Sequence, residues 1–312
     1  MKKHSKNRKP KIRQLDFFSV LIVILVIILI ALLIIIHFKN KAENNNLQSQ
    51  NISSNNKETI TAETSSPETD TTTVDSKEEN RFEGLTMTNE NVGVPVLYYH
   101  SVDPSEANEV IISPEKLREE LTFIKDSGYT TLTMSELNDY ILNNAPIPEK
   151  SIVITFDDGY ADNYANAFPI LKELDMKATI FVISNFTDKD GYYMTSQQLK
   201  EMADYGIDIQ SHTASHAHLN QLTYEEQLNE LKTSKEKLES ITEKPVISIA
   251  YPFGDYDDNT ILASKEAGYS LSFNTNRGLS DRTDNPLSLN RIYVSSLYSI
   301  EQFKEILEST EK

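Results

Sequence analysis

Short apolar segments alternate with amphipathic segments from residue 94 to the C-terminus. Eight of the apolar segments have the length and the β-branched composition of buried strands, and they are residues 94–99, 130–133, 152–156, 178–183, 207–211, 246–251, 269–273 and 289–294. The segments between them carry helix start signals, such as Ser113-Pro114 and the capping-box spacing at Thr223 and Ser299. Repeated strand-helix alternation predicts an α/β fold with a parallel sheet, and this many units in about 220 residues predicts a closed or nearly closed barrel.

The N-terminal part of the chain has a different pattern. Residues 17–36 contain no charge and only Ser19 as a polar side chain, which is about the length that crosses a bilayer as a helix. Seven basic residues precede this run, so the sequence predicts a basic cytoplasmic tail at 1–16, a transmembrane helix at 17–38 and a catalytic domain outside the cell. A cleaved signal peptide is the alternative, although its apolar core is usually shorter.

Residues 39–91 are rich in Asn, Ser, Thr and Glu and predict a disordered extracellular linker, which leaves residues 92–312 as the folded domain. The chain carries a formal net charge of −17, and this acidic balance argues against nucleic acid as a partner. It has no cysteine, so a disulfide, a thiolate metal site and a thiol nucleophile are all excluded.

Two adjacent carboxylates, Asp157 and Asp158, follow the predicted strand at 152–156 and are followed by Gly159. Adjacent carboxylates repel each other unless a cation neutralises one of them, although Asp-Asp-Gly alone is equally typical of a polar turn. His212 and His216 follow the strand at 207–211, and on a helical turn their spacing would place both rings on one face. Together these residues predict a metal site at the carboxyl ends of the strands.

The motifs TFDDG at 155–159 and SHTASH at 211–216 resemble those of the polysaccharide deacetylase family with the NodB homology domain, also called carbohydrate esterase family 4. The resemblance covers roughly residues 92–312 and implies a distorted TIM-like (β/α)7–8 barrel. It implies that Asp158, His212 and His216 bind a divalent metal, with Zn²⁺ as the default, and that Asp157 is the general base. The segment AYPFG at 250–254 resembles a third family motif, in which a backbone N–H contacts the oxyanion, and we expect Tyr251 to supply that N–H.

The chain departs from the family pattern at two places. Ala250 stands where the third motif usually has an arginine, and Arg291 is the predicted substitute, binding Asp157 in a bidentate manner. An exposed surface arginine is the alternative for Arg291. The usual late histidine is also missing, because no histidine follows His218.

Residues 97–100 (LYYH) resemble the late histidine motif moved to the front of the domain. This order is similar to that of a permuted branch of the family that includes deacetylases of biofilm exopolysaccharide. Because the first and last strands of a closed barrel are neighbours, His100 is predicted to be the general acid that protonates the departing amine. A core or capping histidine is the alternative.

These observations predict a membrane-anchored extracellular hydrolase, expected to be a monomer, that removes N-acetyl groups from an N-acetylglucosamine polymer. Its substrate would be peptidoglycan or a poly-N-acetylglucosamine exopolysaccharide, and its partners would be this polymer and the membrane, without nucleic acid. One alternative is an O-acetyl esterase acting on a glycan such as xylan. The other is a catalytically silent sugar-binding module, which the missing arginine at Ala250 suggests.

Overall fold

The computed structural model describes residues 81–310, which form twelve strands and seven α-helices. The strands are β1 (Met87–Thr88), β2 (Val96–Tyr99), β3 (Ser101–Val102), β4 (Ile111–Ile112), β5 (Thr130–Thr131), β6 (Ile147–Pro148), β7 (Ser151–Phe156), β8 (Thr179–Val182), β9 (Asp208–Ser211), β10 (Ser248–Ala250), β11 (Leu271–Arg277) and β12 (Leu289–Tyr293). The helices are α1 (Pro114–Asp126), α2 (Met134–Asn143), α3 (Phe168–Leu174), α4 (Ser196–Tyr205), α5 (Tyr224–Thr242), α6 (Asp258–Glu266) and α7 (Ile300–Ser309).

Seven parallel strands close into a barrel in the order β2-β12-β11-β10-β9-β8-β7, and β7 pairs back onto β2 to complete the ring. β5 adds to β7 outside this ring, with Thr130 opposite Ser151. The predicted parallel α/β barrel is therefore confirmed. All eight predicted strands are present, and the register of β12 against β2 makes the last strand of the domain a neighbour of the first.

The helix start signals act as the sequence predicts. Ser113 caps α1 through its side chain, which accepts a hydrogen bond from the Lys116 N–H, and Pro114 is the first helical residue. Thr223 and Ser299 form complete capping boxes at the starts of α5 and α7. These caps fix where each helix begins and therefore where the preceding loop ends.

Side chains along β7 alternate between two hydrophobic clusters. Ile152, Ile154 and Phe156 belong to the cluster that packs the strands against the surrounding helices, whereas Val153 belongs to the cluster inside the barrel. Because successive side chains of a strand point to opposite faces, Thr155 and Asp157 continue the inward series that Val153 begins. The two-residue period of this strand thus directs the first carboxylate towards the barrel axis.

The same alternation operates on the two strands that flank the closure. On β2, Val96 faces the interior and Leu97 faces the helices, so His100 follows in the inward series. On β12, Leu289 faces the interior and Ile292 faces the helices, so Arg291 points inward. The barrel interior therefore receives ionisable side chains from strands that are far apart in the sequence.

The N-terminal boundary of the folded region lies earlier than the sequence predicts. Residues 81–91, which were expected to belong to the disordered linker, are described as part of this fold, and β1 pairs antiparallel with β6 through Met87 and Pro148. Arg282 binds this segment through a hydrogen bond of 2.7 Å to the carbonyl oxygen of Asn89. The polar composition of residues 81–91 gave no strand signal, because their backbone hydrogen bonds depend on a distant partner strand, β6.

The predicted location at a cell membrane is corrected by the structure. Within residues 81–310, no helix is both long and apolar enough to cross a bilayer. The predicted basic tail, the predicted transmembrane helix and the linker up to residue 80 lie outside the described residues. A membrane location therefore has no support from the structure.

Candidate active site

Asp158, His212 and His216 converge at the carboxyl ends of β7 and β9. The Asp158 Oδ1 atom lies 3.4 Å from His212 Nε2 and 3.3 Å from His216 Nε2, and one ligand atom from each residue falls within 4.8 Å of the others. His212 is buried together with Asp158, and His216 is partly exposed. The structure thus brings together all three residues that the sequence predicts as metal ligands.

The donor atoms of this triad suit a divalent cation. The Nδ1 atom of His212 lies 2.8 Å from the carbonyl oxygen of Ala250, and because a carbonyl can only accept, Nδ1 carries a proton; in the neutral ring, Nε2 then presents a lone pair. The Asp158 Oδ1 atom that faces it is buried and has no hydrogen-bond partner among the described residues. Two buried acceptors that face each other are unfavourable until a cation lies between them, so these residues fit a metal site.

The two histidines reach the site from a loop rather than from a helical turn. Thr213 and His216 have φ angles of 66° and 63°, so the backbone turns twice through the left-handed region between the two rings. The ring centroids are nevertheless 4.9 Å apart. Asp158 and Gly159 are also left-handed, with φ angles of 75° and 76°. This conformation is strained for every residue but glycine, and strained residues cluster at functional sites, where the surrounding structure holds them in place.

Asp157 is bound by Arg291 from across the barrel. The Nη1 and Nη2 atoms of Arg291 each donate to one Asp157 oxygen at 2.8 Å, and Arg291 Nε donates to the Asn274 carbonyl at 3.1 Å. This is the bidentate contact expected for Arg291, and its full burial excludes the alternative of an exposed surface arginine. Burial is the largest single influence and would raise the pKa of Asp157, but the charge and hydrogen bonds of Arg291, together with the charges of His212 and His100, outweigh burial and hold that pKa below its usual range.

The small side chain at position 250 is consistent with this arrangement. Ala250 belongs to the hydrophobic cluster inside the barrel, and its methyl group occupies the inward position from which the arginine of the related motif would extend. Arg291 enters the interior from β12 instead, with its guanidinium carbon 4.3 Å from the ring centroid of Tyr98. The barrel therefore obtains a buried guanidinium from a different strand.

His100 lies in the same cavity, which has a volume of about 350 Å³ and is also lined by Asp157, Asp158, His212 and His216. Its Nδ1 atom is buried and has no hydrogen-bond partner among the described residues. Burial lowers the pKa of His100, and the charges of Asp157 and Asp158 offset only part of that effect. The structure thus places His100 beside the predicted base and the predicted ligands, because β2 pairs with β7 and Tyr99 lies opposite Phe156.

The backbone N–H of Tyr251 is not available to an oxyanion, contrary to the prediction. It donates to the Phe273 carbonyl at 2.9 Å as part of the sheet, and the Tyr251 hydroxyl is buried against the Leu287 carbonyl at 3.0 Å. Tyr251 follows the inward-facing Ala250, so the strand alternation turns its side chain towards the helices. Sequence reasoning could not assign this N–H because its partner depends on the register of β10 against β11.

Phe253, two positions later, is the residue that the sequence analysis missed. Within residues 81–310 its N–H has no hydrogen-bond partner, and its φ angle of 60° is rare for a bulky side chain. The Phe253 ring is 53% exposed and stacks on His218, with ring centroids 3.9 Å apart, while His218 Nδ1 lies 2.6 Å from an Asp255 oxygen. An aromatic residue flanked by Pro and Gly after a strand was the only sequence signal.

Comparisons with known proteins agree with this geometry. Residues 144–272 match the family model described as polysaccharide deacetylase. YxkH of Bacillus subtilis, which is named as a polysaccharide deacetylase, is 35% identical over 233 residues, covering 75% of this chain and 82% of the relative. The range matched by the family model spans both the carboxylate pair and the histidine pair.

A solved structure and a second relative extend the comparison. The Streptococcus pyogenes deacetylase PplD, solved in complex with acetate, has a TM-score of 0.66 and 35% identity, covering 72% of this chain and all of that one. A poly-β-1,6-N-acetyl-D-glucosamine N-deacetylase of Escherichia coli O157:H7 is 23% identical over 266 residues. That alignment covers 70% of this chain but only 39% of the Escherichia coli protein.

Proposed function

Because this chain belongs to the polysaccharide deacetylase family, we propose that it is a metal-dependent hydrolase that removes N-acetyl groups from an N-acetylglucosamine-containing polysaccharide. The observation that carries the proposal is that one cavity is lined both by the Asp158, His212 and His216 triad and by Asp157, which the buried Arg291 binds from behind. The first set suits a cation and the second holds an ionised carboxylate beside it.

A divalent cation, with Zn²⁺ as the default, would be held by Asp158, His212 and His216 and would supply Lewis acidity to the acetyl carbonyl and to water. Asp157 accepts the proton that water loses as its oxygen adds to the acetyl carbon. Arg291 keeps Asp157 ionised and fixes the orientation of both carboxylate oxygens, so that the base is ready in the free protein.

The oxyanion that forms from the acetyl carbonyl needs a hydrogen-bond donor in a dry site. We assign this role to the N–H of Phe253, which lines the cavity and is unpartnered among the described residues, in place of the N–H of Tyr251. The stacking of Phe253 on His218 and the His218–Asp255 contact would hold this turn in its left-handed conformation.

His100 is the proposed acid. As the carbon–nitrogen bond breaks, the amine nitrogen must gain a proton, and the imidazole of His100, which lines the cavity beside Asp157, would supply it while Asp157 holds the proton taken from water. The products are acetate and a free amino group on the sugar. Acetate is also the molecule present in the solved Streptococcus pyogenes deacetylase, which supports this assignment of the reaction.

For the substrate we propose poly-β-1,6-N-acetylglucosamine or peptidoglycan. The name of the Escherichia coli relative supports the first polymer, and the second is retained because only part of that relative is matched. The test is acetate release by the full chain, loaded with Zn²⁺, from a β-1,6-linked N-acetylglucosamine oligomer, a chitooligosaccharide, peptidoglycan and acetylated xylan.

Release of acetate together with new amino groups on one of the first three substrates supports the proposal. Release from acetylated xylan alone would replace it with an O-acetyl esterase. Binding of a glycan without any release, in a chain shown to contain one Zn²⁺, would replace it with a silent sugar-binding module. The Asp158→Asn variant is the control for acetate that is released without the metal site.

A further inference from the structure

Three tyrosines form a continuous aromatic ledge beside the metal triad, defined by Tyr160, Tyr192 and Tyr193. The Tyr160 ring stacks on Tyr193 with centroids 5.5 Å apart, and Tyr192 packs edge-on against both, at 5.1 Å from Tyr160 and 5.3 Å from Tyr193. At the inner end of the ledge, Tyr160 lies two positions after the predicted ligand Asp158, directly after Gly159. The ledge therefore begins at the turn that presents Asp158.

The outer end of the ledge is open to solvent. Tyr192 is 58% exposed, the most exposed aromatic side chain among the described residues. A single exposed ring is ordinary, but an exposed ring that continues into further aromatic rings forms an apolar patch, and such patches often mark a site of recognition. Tyr192 is thus accessible to a ligand.

Backbone contacts hold the ledge rigidly against the strand end. The Ala161 N–H donates to the Tyr192 carbonyl at 2.9 Å, and the Met194 N–H donates to the Gly159 carbonyl at 3.0 Å. From the other side, Phe186 packs on Tyr193 with ring centroids 4.8 Å apart. The loop that carries Tyr192 is therefore fixed to the same turn that presents Asp158, and the aromatic surface is preorganised.

We propose that Tyr192, supported by Tyr160 and Tyr193, stacks against a sugar ring that adjoins the ring whose acetamide lies in the cavity. The apolar face of a pyranose suits an aromatic face, and the ledge is attached to the turn whose Asp158 lines the cavity where one sugar of a polymer would be bound. This inference rests on the proposed function. It adds that the protein binds its polymer through more than one sugar unit.

The experiment compares Tyr192→Ala with the wild type on N-acetylglucosamine oligomers of increasing length, in both β-1,6-linked and β-1,4-linked series. For the series that the wild type hydrolyses, the ratio of kcat/KM on the longer oligomer to kcat/KM on the monosaccharide should fall about three- to tenfold, mainly through KM. Tyr192→Phe keeps the ring and should restore the wild-type ratio. Tyr205→Ala is the matched control, because Tyr205 is also exposed but ends α4, away from the cavity.

An unchanged ratio in Tyr192→Ala, or the same fall in Tyr205→Ala, would overturn the subsite. A second measurement separates it from the proposed reaction: binding of the longer oligomer to the Asp157→Asn variant, with and without Tyr192→Ala. If the wild type releases no acetate, the proposed function fails, but a several-fold weaker binding caused by Tyr192→Ala would still support the ledge. If Asp157→Asn binds the longer oligomer equally well with and without Tyr192→Ala, the proposed role of the ledge is wrong, whether or not the wild type releases acetate.

Discussion

Replacing Arg291 tests the central charge pair of the site. Arg291 is fully buried and donates two hydrogen bonds of 2.8 Å to Asp157, which is itself 3% exposed. Arg291→Met removes the charge while it keeps most of the side-chain volume, and it leaves an uncompensated carboxylate inside the barrel. Breaking a buried pair in this way costs about 3–5 kcal/mol of stability.

The same change should also remove activity. Without Arg291, burial is the dominant influence on Asp157, so its pKa rises and the carboxyl becomes a protonated group that cannot accept a proton from water. Loss of a general base lowers the rate by about 10²–10⁴-fold. We therefore expect a fall in kcat of this order, with little change in Zn²⁺ affinity, because Asp157 is not among the three proposed ligands.

The assay is a double-mutant cycle of Arg291→Met with Asp157→Asn, measured by urea unfolding and by acetate release near neutral pH. The pair should show a coupling of roughly 2–3 kcal/mol, because the double variant no longer contains an unpaired buried charge. A coupling of about zero together with an unchanged kcat in Arg291→Met would refute the reasoning. The double variant Ala250→Arg with Arg291→Ala supplies the guanidinium from β10 instead of β12. It should recover part of the lost rate if Asp157 needs the positive charge but not its attachment to β12.

Three further predictions concern other parts of the domain. His100→Ala should lower kcat by about 10²–10⁴-fold while calorimetry shows normal Zn²⁺ binding, and full-rate hydrolysis would remove His100 from the mechanism. Asp158→Asn should weaken Zn²⁺ binding in the same titration, whereas Asp157→Asn should keep the ion and lose turnover; the reverse result would exchange the two roles. Glu120 is buried against the Tyr99 hydroxyl at 3.0 Å, and burial raises its pKa from 4.5 to about 8. Between these two pH values the folded state keeps the proton on Glu120, whereas the unfolded state loses it. The stability that Glu120 contributes is therefore fully present below pH 4.5, falls as the pH rises, and is gone above about pH 8. Glu120→Gln should flatten the pH dependence of the unfolding free energy over this range, by at most about 5 kcal/mol, and parallel curves for variant and wild type would contradict the assignment.

The sequence was sufficient for the features that depend on neighbouring residues. The apolar runs predicted all eight main strands, and the capping residues Ser113, Thr223 and Ser299 predicted helix starts, because propensity, capping and strand alternation act over a few positions. The shortest strands, such as β1 and β6, escaped prediction because two residues carry no periodic signal.

The sequence also determined which chemical groups the site contains, since Asp157, Asp158, His212 and His216 follow directly from two short motifs. Only the tertiary structure decided how they are used. Barrel closure brings Arg291 to Asp157 from 134 positions away, and the sheet register engages the N–H of Tyr251 while it leaves that of Phe253 unpartnered. These outcomes depend on which distant strands pair and in what register, and no local pattern specifies that pairing.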